Sequence, residues 1–411
     1  SSMRKLARLL LGLLFVFSGF VKAVDPVGSA LVFTEYFNAF GVSFLTPLSL
    51  PAGIMLSTLE FVLGVMVLLD FRKRTAAWGM FLFMSFFTLL TLWLAIFDPV
   101  QDCGCFGDAV KLSNWQTFFK NLIFWPFSLI LFLQRNRTAP VARGVAEWPV
   151  CLFFALIVTG ISIYSYRHLP PVDFRGFKPG NDIGTLLEEA RKNPEYIYRT
   201  ELIYSRQGKK GIFSADSLPD STWTFVDSRT REIRTGKRHK ITDFSVRDIY
   251  GNSLTDSILS QEGTALVLLI TSGNNLNTET LQKLEPLVAE SREINRPYYA
   301  ISALPADTII NILQKNGLEM PVYLADQKTL LTMIRSTPGL MVMKKGVVLA
   351  KFGFRDFPSP ERWEDLVNED PEMVIAKTRI HTRLRTQVFV ALLLLLIFLL
   401  RKGFWFTRER Y

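Results

Sequence analysis

Metal-binding side chains are scarce in this chain, which has three cysteines and three histidines in 411 residues. The histidines, His168, His239 and His381, are scattered. Two thiolates need further ligands before they hold a zinc ion, so no metal site is expected. Charge is short as well, at 20%, below the roughly 25% of an ordinary soluble domain. The net charge of +10 comes without zinc-finger spacing, an RNP-like aromatic motif or a recognition helix, which excludes nucleic acid as a partner. What the chain has in excess is apolar surface, with 49% hydrophobic and 13% aromatic residues. The apolar residues fall in runs whose ends carry the basic ones, so the first partner is a lipid bilayer.

The first run, about 6–24, follows Arg4, Lys5 and Arg8 and lacks a small-residue cleavage site, so it reads as a retained helix. Asp25-Pro26 stops it, and a short interfacial helix is expected around 31–40. Further runs extend from Pro51 to Asp70, from 76 to 97, from Trp115 to just before Arg135, and from 148 to 166. A last run, 388–400, is short for a span. Arg385 and Arg401 can snorkel and Phe404, Trp405 and Phe406 suit the interface, so it counts here as a sixth crossing. The clusters Arg4/Lys5/Arg8, Arg72/Lys73/Arg74 and Arg135/Arg137/Arg143 alternate across successive helices. One orientation satisfies all three: a bacterial inner-membrane protein with both termini cytoplasmic and its soluble part periplasmic.

The soluble part begins after Pro170-Pro171. Strands are expected at 196–204 and 223–226, then an alternation of strands and helices from Ile241 onward that closes in a hairpin at Lys344-Lys345-Gly346. The expected fold class is an α-helical membrane bundle, a four-helix core plus two further helices, joined to an α/β soluble domain. The expected divisions are a four-helix unit at 1–137, a fifth crossing at 147–168, a linker or β-rich subdomain at 169–240, the α/β domain at 241–376 and the last crossing at 386–402.

Chemistry is concentrated at Cys103-Gly104-Cys105, between the third and fourth runs. Two thiols one residue apart can close a small, strained ring that exchanges readily, and Gly104 is the residue best able to take the backbone angles required. The same spacing equally suits a static loop staple or two inert thiols. Lys111 and Lys120 are the nearby cations that would favour a thiolate, with Asp102 and Asp108 opposing them. Cys151, near the far end of the fifth run, is expected on the opposite face. Glu60 falls roughly 14 Å along its helix from Pro51, inside the hydrocarbon. It shares a helix face with Gly53, Ser57 and Gly64, and Lys22 is its candidate partner, directly or through water, for proton transfer or as a structural clamp.

Two resemblances add to this. Ser18-Gly19-Phe20-Val21-Lys22 with Asp25-Pro26, Leu59-Glu60-Phe61 with Gly64, and Cys103-Gly104-Cys105-Phe106-Gly107 resemble the DoxX family of four-helix membrane proteins, and more narrowly its MauE-like members, over about 8–133. Asp243-Phe244-Ser245-Val246 with Gly251, and Thr337-Pro338 before Leu340-Met341-Val342-Met343, resemble the thioredoxin fold, with Pro338 as its cis-proline. Where that family carries Cys-x-x-Cys, this chain has Ser272-Gly273-Asn274-Asn275-Leu276, so the domain is expected to lack thiol chemistry. Together the resemblances imply a membrane thiol-disulfide component whose Cys103 and Cys105 exchange electrons with an exported partner that the soluble domain positions. The alternative is a non-enzymatic scaffold or complex subunit with a structural cysteine pair. No cofactor is specified. A quinone among Trp93, Trp115, Phe118 and Phe119 is one option by analogy with membrane thiol oxidases, and interface anchoring is the other role open to those rings.

Overall fold

The computed structural model describes residues 2–100, 103–136, 144–194, 196–206, 209–214, 218–220, 222–234, 239, 241 and 244–409. Asp102, Arg137, Arg143 and Asp243 lie outside the described residues, as do the side chains of His381, Arg385, Arg401, Phe404, Trp405 and Phe406. The amino-terminal half is helical: α1 (Ser2–Val24), α2 (Pro26–Ala39), a 3-10 turn (Ser43–Leu48), α3 (Ser49–Leu69), α4 (Lys73–Phe97), α5 (Asn114–Leu133) and α6 (Gly144–Arg167). Among the described residues, five segments are long and apolar enough to cross a membrane: Ser2–Val24, Ser43–Leu69, Lys73–Phe97, Asn114–Leu133 and Glu147–Arg167.

Close backbone approach holds α1 against α3. A Cβ at Gly19 would stand 2.6 Å from the Phe61 nitrogen and 2.7 Å from the Ser57 carbonyl oxygen, and one at Gly64 would stand 2.7 Å from the Val16 nitrogen. Only glycine permits that contact, and it brings the polar residues of the two helices into reach of each other. At one end of the pair Asp70 binds Arg4 at 3.0 Å, Arg8 at 3.3 Å and Lys73 at 3.0 Å. Cys151 is buried near that end, among Ala7, Ala76 and Leu131. Asp25 ends α1, as expected, and also starts the next helix. Its carboxylate accepts from the Gly28 N–H at 2.9 Å, with Pro26 in the first turn, so α2 begins at Pro26 rather than near 31.

Beyond α6, the described residues form two sheets. Strands β1 (Tyr196–Arg206), β2 (Lys209–Ser214) and β3 (Thr224–Arg234) form an antiparallel sheet in the order β2-β1-β3. The larger sheet has the order β6-β5-β4-β7-β8, from β4 (Ala265–Ile270), β5 (Tyr298–Ser302), β6 (Val322–Leu324), β7 (Gly339–Lys344) and β8 (Val347–Gly353). Strands β4, β5 and β6 run parallel, and β7 and β8 pair antiparallel onto β4. All of β4 is buried because both faces are covered, which is why it reads as an unbroken apolar run. One face packs on Leu281, Leu287, Leu313 and Trp363, the other on Phe177, Ile183, Phe244 and Met333.

Around this sheet lie α7 (Ile183–Lys192), α8 (Thr255–Ser260), α9 (Thr278–Gln282), α10 (Glu285–Glu293), α11 (Ala306–Lys315), α12 (Gln327–Met333) and α13 (Pro360–Asn368). The helical stretch expected near 277–295 divides before Pro286, which has no N–H to continue the ladder. Phe177, Ile183 and Leu187 belong to the core of the larger sheet, so the α/β unit takes its first elements from a stretch that reads as linker. The last helix, α14 (Pro371–Glu409), leaves this unit and returns to the bundle. Its Leu393 and Ile397 join Val16, Phe61 and Phe154, and its Phe389 stacks on Phe20 with ring centroids 6.2 Å apart.

Candidate functional site

The loop from Phe97 to Asn114 returns over the end of the bundle. Gly104, at φ +68°, and Gly107, at φ +51°, supply the left-handed angles for the turn, and a Cβ at Gly104 would meet Val32 at 2.8 Å. The Tyr36 hydroxyl donates to the Cys103 carbonyl at 3.2 Å, and Cys103 packs with Leu94 and Val100. Thus α2 and the end of α4 hold the loop in place. The two thiols are free, their sulfurs 3.0 Å apart. A hydrogen bond from Cys103 is the main influence lowering Cys105. Burial opposes it, Lys120 and then Lys22 reinforce it, and the Cys105 pKa is held down to about 6. The same hydrogen bond, with burial, pushes the Cys103 thiol well up. The pair therefore keeps one proton on Cys103 and a thiolate at Cys105.

Beneath the loop Lys22 donates to Glu60 at 2.6 and 2.7 Å, with no water between them. The Ser18 hydroxyl lies 2.8 Å from Glu60 Oε2 and 2.8 Å from the Cys105 carbonyl oxygen, and it accepts from Lys22 at 3.2 Å. Ser18 thereby ties the intramembrane ion pair to the cysteine loop. Of the two candidate cations, Lys120 stands at the site, 4.4 Å from the Phe106 ring centroid. Lys111 instead pairs with Asp108 at 3.3 Å.

A cavity of about 580 Å³ lies between α2 and α3 on one side and α4 and α5 on the other, backed by α1 and roofed by Cys103, Gly104 and Cys105. Its aromatic lining comes from Phe33, Phe37, Phe83 and Phe87, with Lys120, Lys22 and Glu60 as charged groups. None of Trp93, Trp115, Phe118 and Phe119 lines it, which corrects that expectation. Those rings sit at helix ends and turn elsewhere. Trp93 reaches the lining only indirectly, stacked on Phe40 at 5.0 Å.

The α/β unit contacts this end of the bundle. Arg335, buried, donates to both Asp25 oxygens at 2.9 and 3.1 Å and to Asp108 at 3.0 Å. Burial alone would raise the Asp25 carboxyl, but the Arg335 guanidinium, aided by Arg175, holds it below its ordinary value. Three residues on, the Thr337–Pro338 peptide bond is cis. Thr337 bonds the backbone of Thr271 and Ser272, so Ser272–Asn275 lies beside this loop without a cysteine. In the sequence Ser18 and Asp25 stand out only as residues of the family resemblance, Asp25 also as a helix stop, with no role at the site, and nothing in the local pattern ties position 335 to position 25.

Residues 2–134 match the family model described as methylamine utilisation protein MauE. The amino-terminal third of the chain is MauE-like. In this MauE-like part lie the Lys22–Glu60 pair, the cysteine loop and the whole cavity lining. Residues 198–235, the small antiparallel sheet, match a domain of unknown function (DUF8463). No curated protein and no solved structure matches the chain.

Proposed function

We propose that this MauE-like protein is a membrane thiol–disulfide redox component in which Cys103 and Cys105 take two electrons from an exported partner. The reading rests chiefly on the two free sulfurs 3.0 Å apart, with a stabilised thiolate at Cys105. In the oxidised pair, a partner thiolate attacks one sulfur and the other leaves as a thiolate. The partner's second thiol then displaces the mixed disulfide. Two electrons pass to Cys103 and Cys105, which end as a thiol and a thiolate sharing one proton from the partner's second thiol, and the partner gains a disulfide.

In this reading the larger sheet and its helices are a thioredoxin-like module without thiolates, supported by the sheet order and by Pro338 beside Ser272–Asn275. The module docks the partner at the loop. The alternation of basic clusters supports six crossings of a bacterial inner membrane, with both termini cytoplasmic and the module periplasmic. The packing of α14 on α1 and α3 supports the sixth.

The test is thiol labelling with and without reductant, combined with Cys103→Ser, which leaves the Cys105 thiolate without its resolving sulfur. The expected result is two thiols that label only after reduction and a reductant-sensitive adduct of the variant with an exported protein. A pair bond inert to reductant, and no adduct, would instead support a scaffold whose cysteines staple one loop.

A further inference from the structure

We propose that the cavity beneath the cysteine loop binds a lipid-soluble quinone, which takes the two electrons of the Cys103/Cys105 pair. The proposal rests on the thiol–disulfide reading above and names where those electrons go. Three features converge on this class of ligand. The volume, about 580 Å³, falls in the range of roughly 300–1,000 Å³ typical of small-molecule sites. The lining is aromatic and apolar, with Phe33, Phe37, Phe83 and Phe87 offering ring faces to a planar ligand. The rim residues Met55, Leu59 and Phe86 belong to two candidate membrane spans and are 70%, 48% and 61% exposed, so the mouth faces sideways toward lipid. A ligand entering there arrives through the bilayer.

An acyl chain would satisfy those surfaces but has no use for the polar end. Lys120 lines the cavity next to the thiols, its ammonium over Phe106, and no carboxylate among the described residues pairs with it. A quinone carbonyl is the matching group, because negative charge builds on its oxygen as electrons arrive and a fixed cation stabilises that charge. The reaction balances. The Cys103 thiol and Cys105 thiolate lose two electrons and one proton and form one S–S bond, and the quinone gains those two electrons, that proton and a second proton from water to become a quinol. The sulfurs start 3.0 Å apart, so forming a bond of about 2.05 Å takes a closure of about 1 Å.

The test uses the full chain in phosphatidylcholine nanodiscs made without quinone. The protein is reduced, desalted under argon and mixed with decylubiquinone. The expected result is one quinol formed for every two thiols lost. Ala52→Trp, which fills the cavity, should slow the reaction at limiting quinone about tenfold, equivalent to roughly 1.4 kcal/mol of lost binding. Met55→Trp at the mouth is the second variant should the first misfold. Exchange of the wild-type thiols with oxidised glutathione is measured in parallel. Normal exchange without quinol formation, or quinol formation at wild-type rate in a folded cavity-filled variant, overturns the quinone site and leaves the thiol reading standing. Thiols inert to both reagents overturn the thiol reading as well.

Discussion

Cys103 and Cys105 are the same residue type two positions apart, yet they hold protons oppositely. The shared hydrogen bond sets the difference, with burial raising and Lys120 lowering both thiols and Lys22 acting on Cys105. A group lowered to about 6 is a thiolate above that pH and a thiol below it, whereas an ordinary cysteine changes near 9.0. Alkylation of Cys105 by iodoacetamide in the pre-reduced protein, followed by peptide mass spectrometry across the pH range, should therefore reach half its maximal rate near pH 6. Cys103→Ala, which removes the donor, and Lys120→Met should each move the midpoint upward. A wild-type midpoint near 9 would show that the two sulfurs do not share a proton. The sequence placed both cations near the pair, but only the turn at Gly104 and Gly107 decides that Lys120 faces the sulfurs while Lys111 turns to Asp108.

The site exists because α1 and α3 touch backbone to backbone. A side chain at Gly19 meets the Phe61 nitrogen and the Ser57 carbonyl below 3.0 Å, and moving α1 away stretches the Lys22–Glu60 contact. Gly19→Leu should destabilise the bundle by about 1–3 kcal/mol, the usual effect of overpacking. Gly160→Leu on α6, where a Cβ meets nothing within 4 Å, is the control. Thermal unfolding in detergent compares them, and equal melting temperatures would remove the contact from the account. The small-residue face of α3 was legible from its spacing, as were the apolar runs, because helical period and apolar length are local properties. The early start of α2 was not. It depends on the Asp25 side chain turning back to the Gly28 N–H, which outweighs a weak amphipathic pattern.

Across the whole molecule, Arg335 joins the α/β unit to the cysteine end of the bundle through Asp25 and Asp108. Removing one partner of a buried pair leaves the other charge unmatched, at a cost of about 3–5 kcal/mol. Arg335→Ala should therefore loosen the docking and speed Cys105 labelling by a bulky maleimide in the reduced, folded protein, with Arg335→Lys intermediate. Unchanged labelling would separate this contact from access to the thiols. Because Asp25 is lowered from 3.8, its contribution is present above that value and is lost only as the pH falls through its depressed folded value. Docking should accordingly persist through mild acid. What the sequence by itself determined is the division into apolar helices and an α/β unit, the candidate residues Cys103, Cys105, Lys22, Glu60 and Pro338, and the lack of thiols in the soluble part. All of these follow from residue type and short-range spacing. Only the tertiary structure decided that Lys22 meets Glu60 directly, that Ser18 links them to the loop, that a cavity opens beneath the sulfurs and that Arg335 reaches Asp25 across 310 residues. Contacts between distant segments are set by how whole helices and sheets pack, and no local pattern encodes that packing.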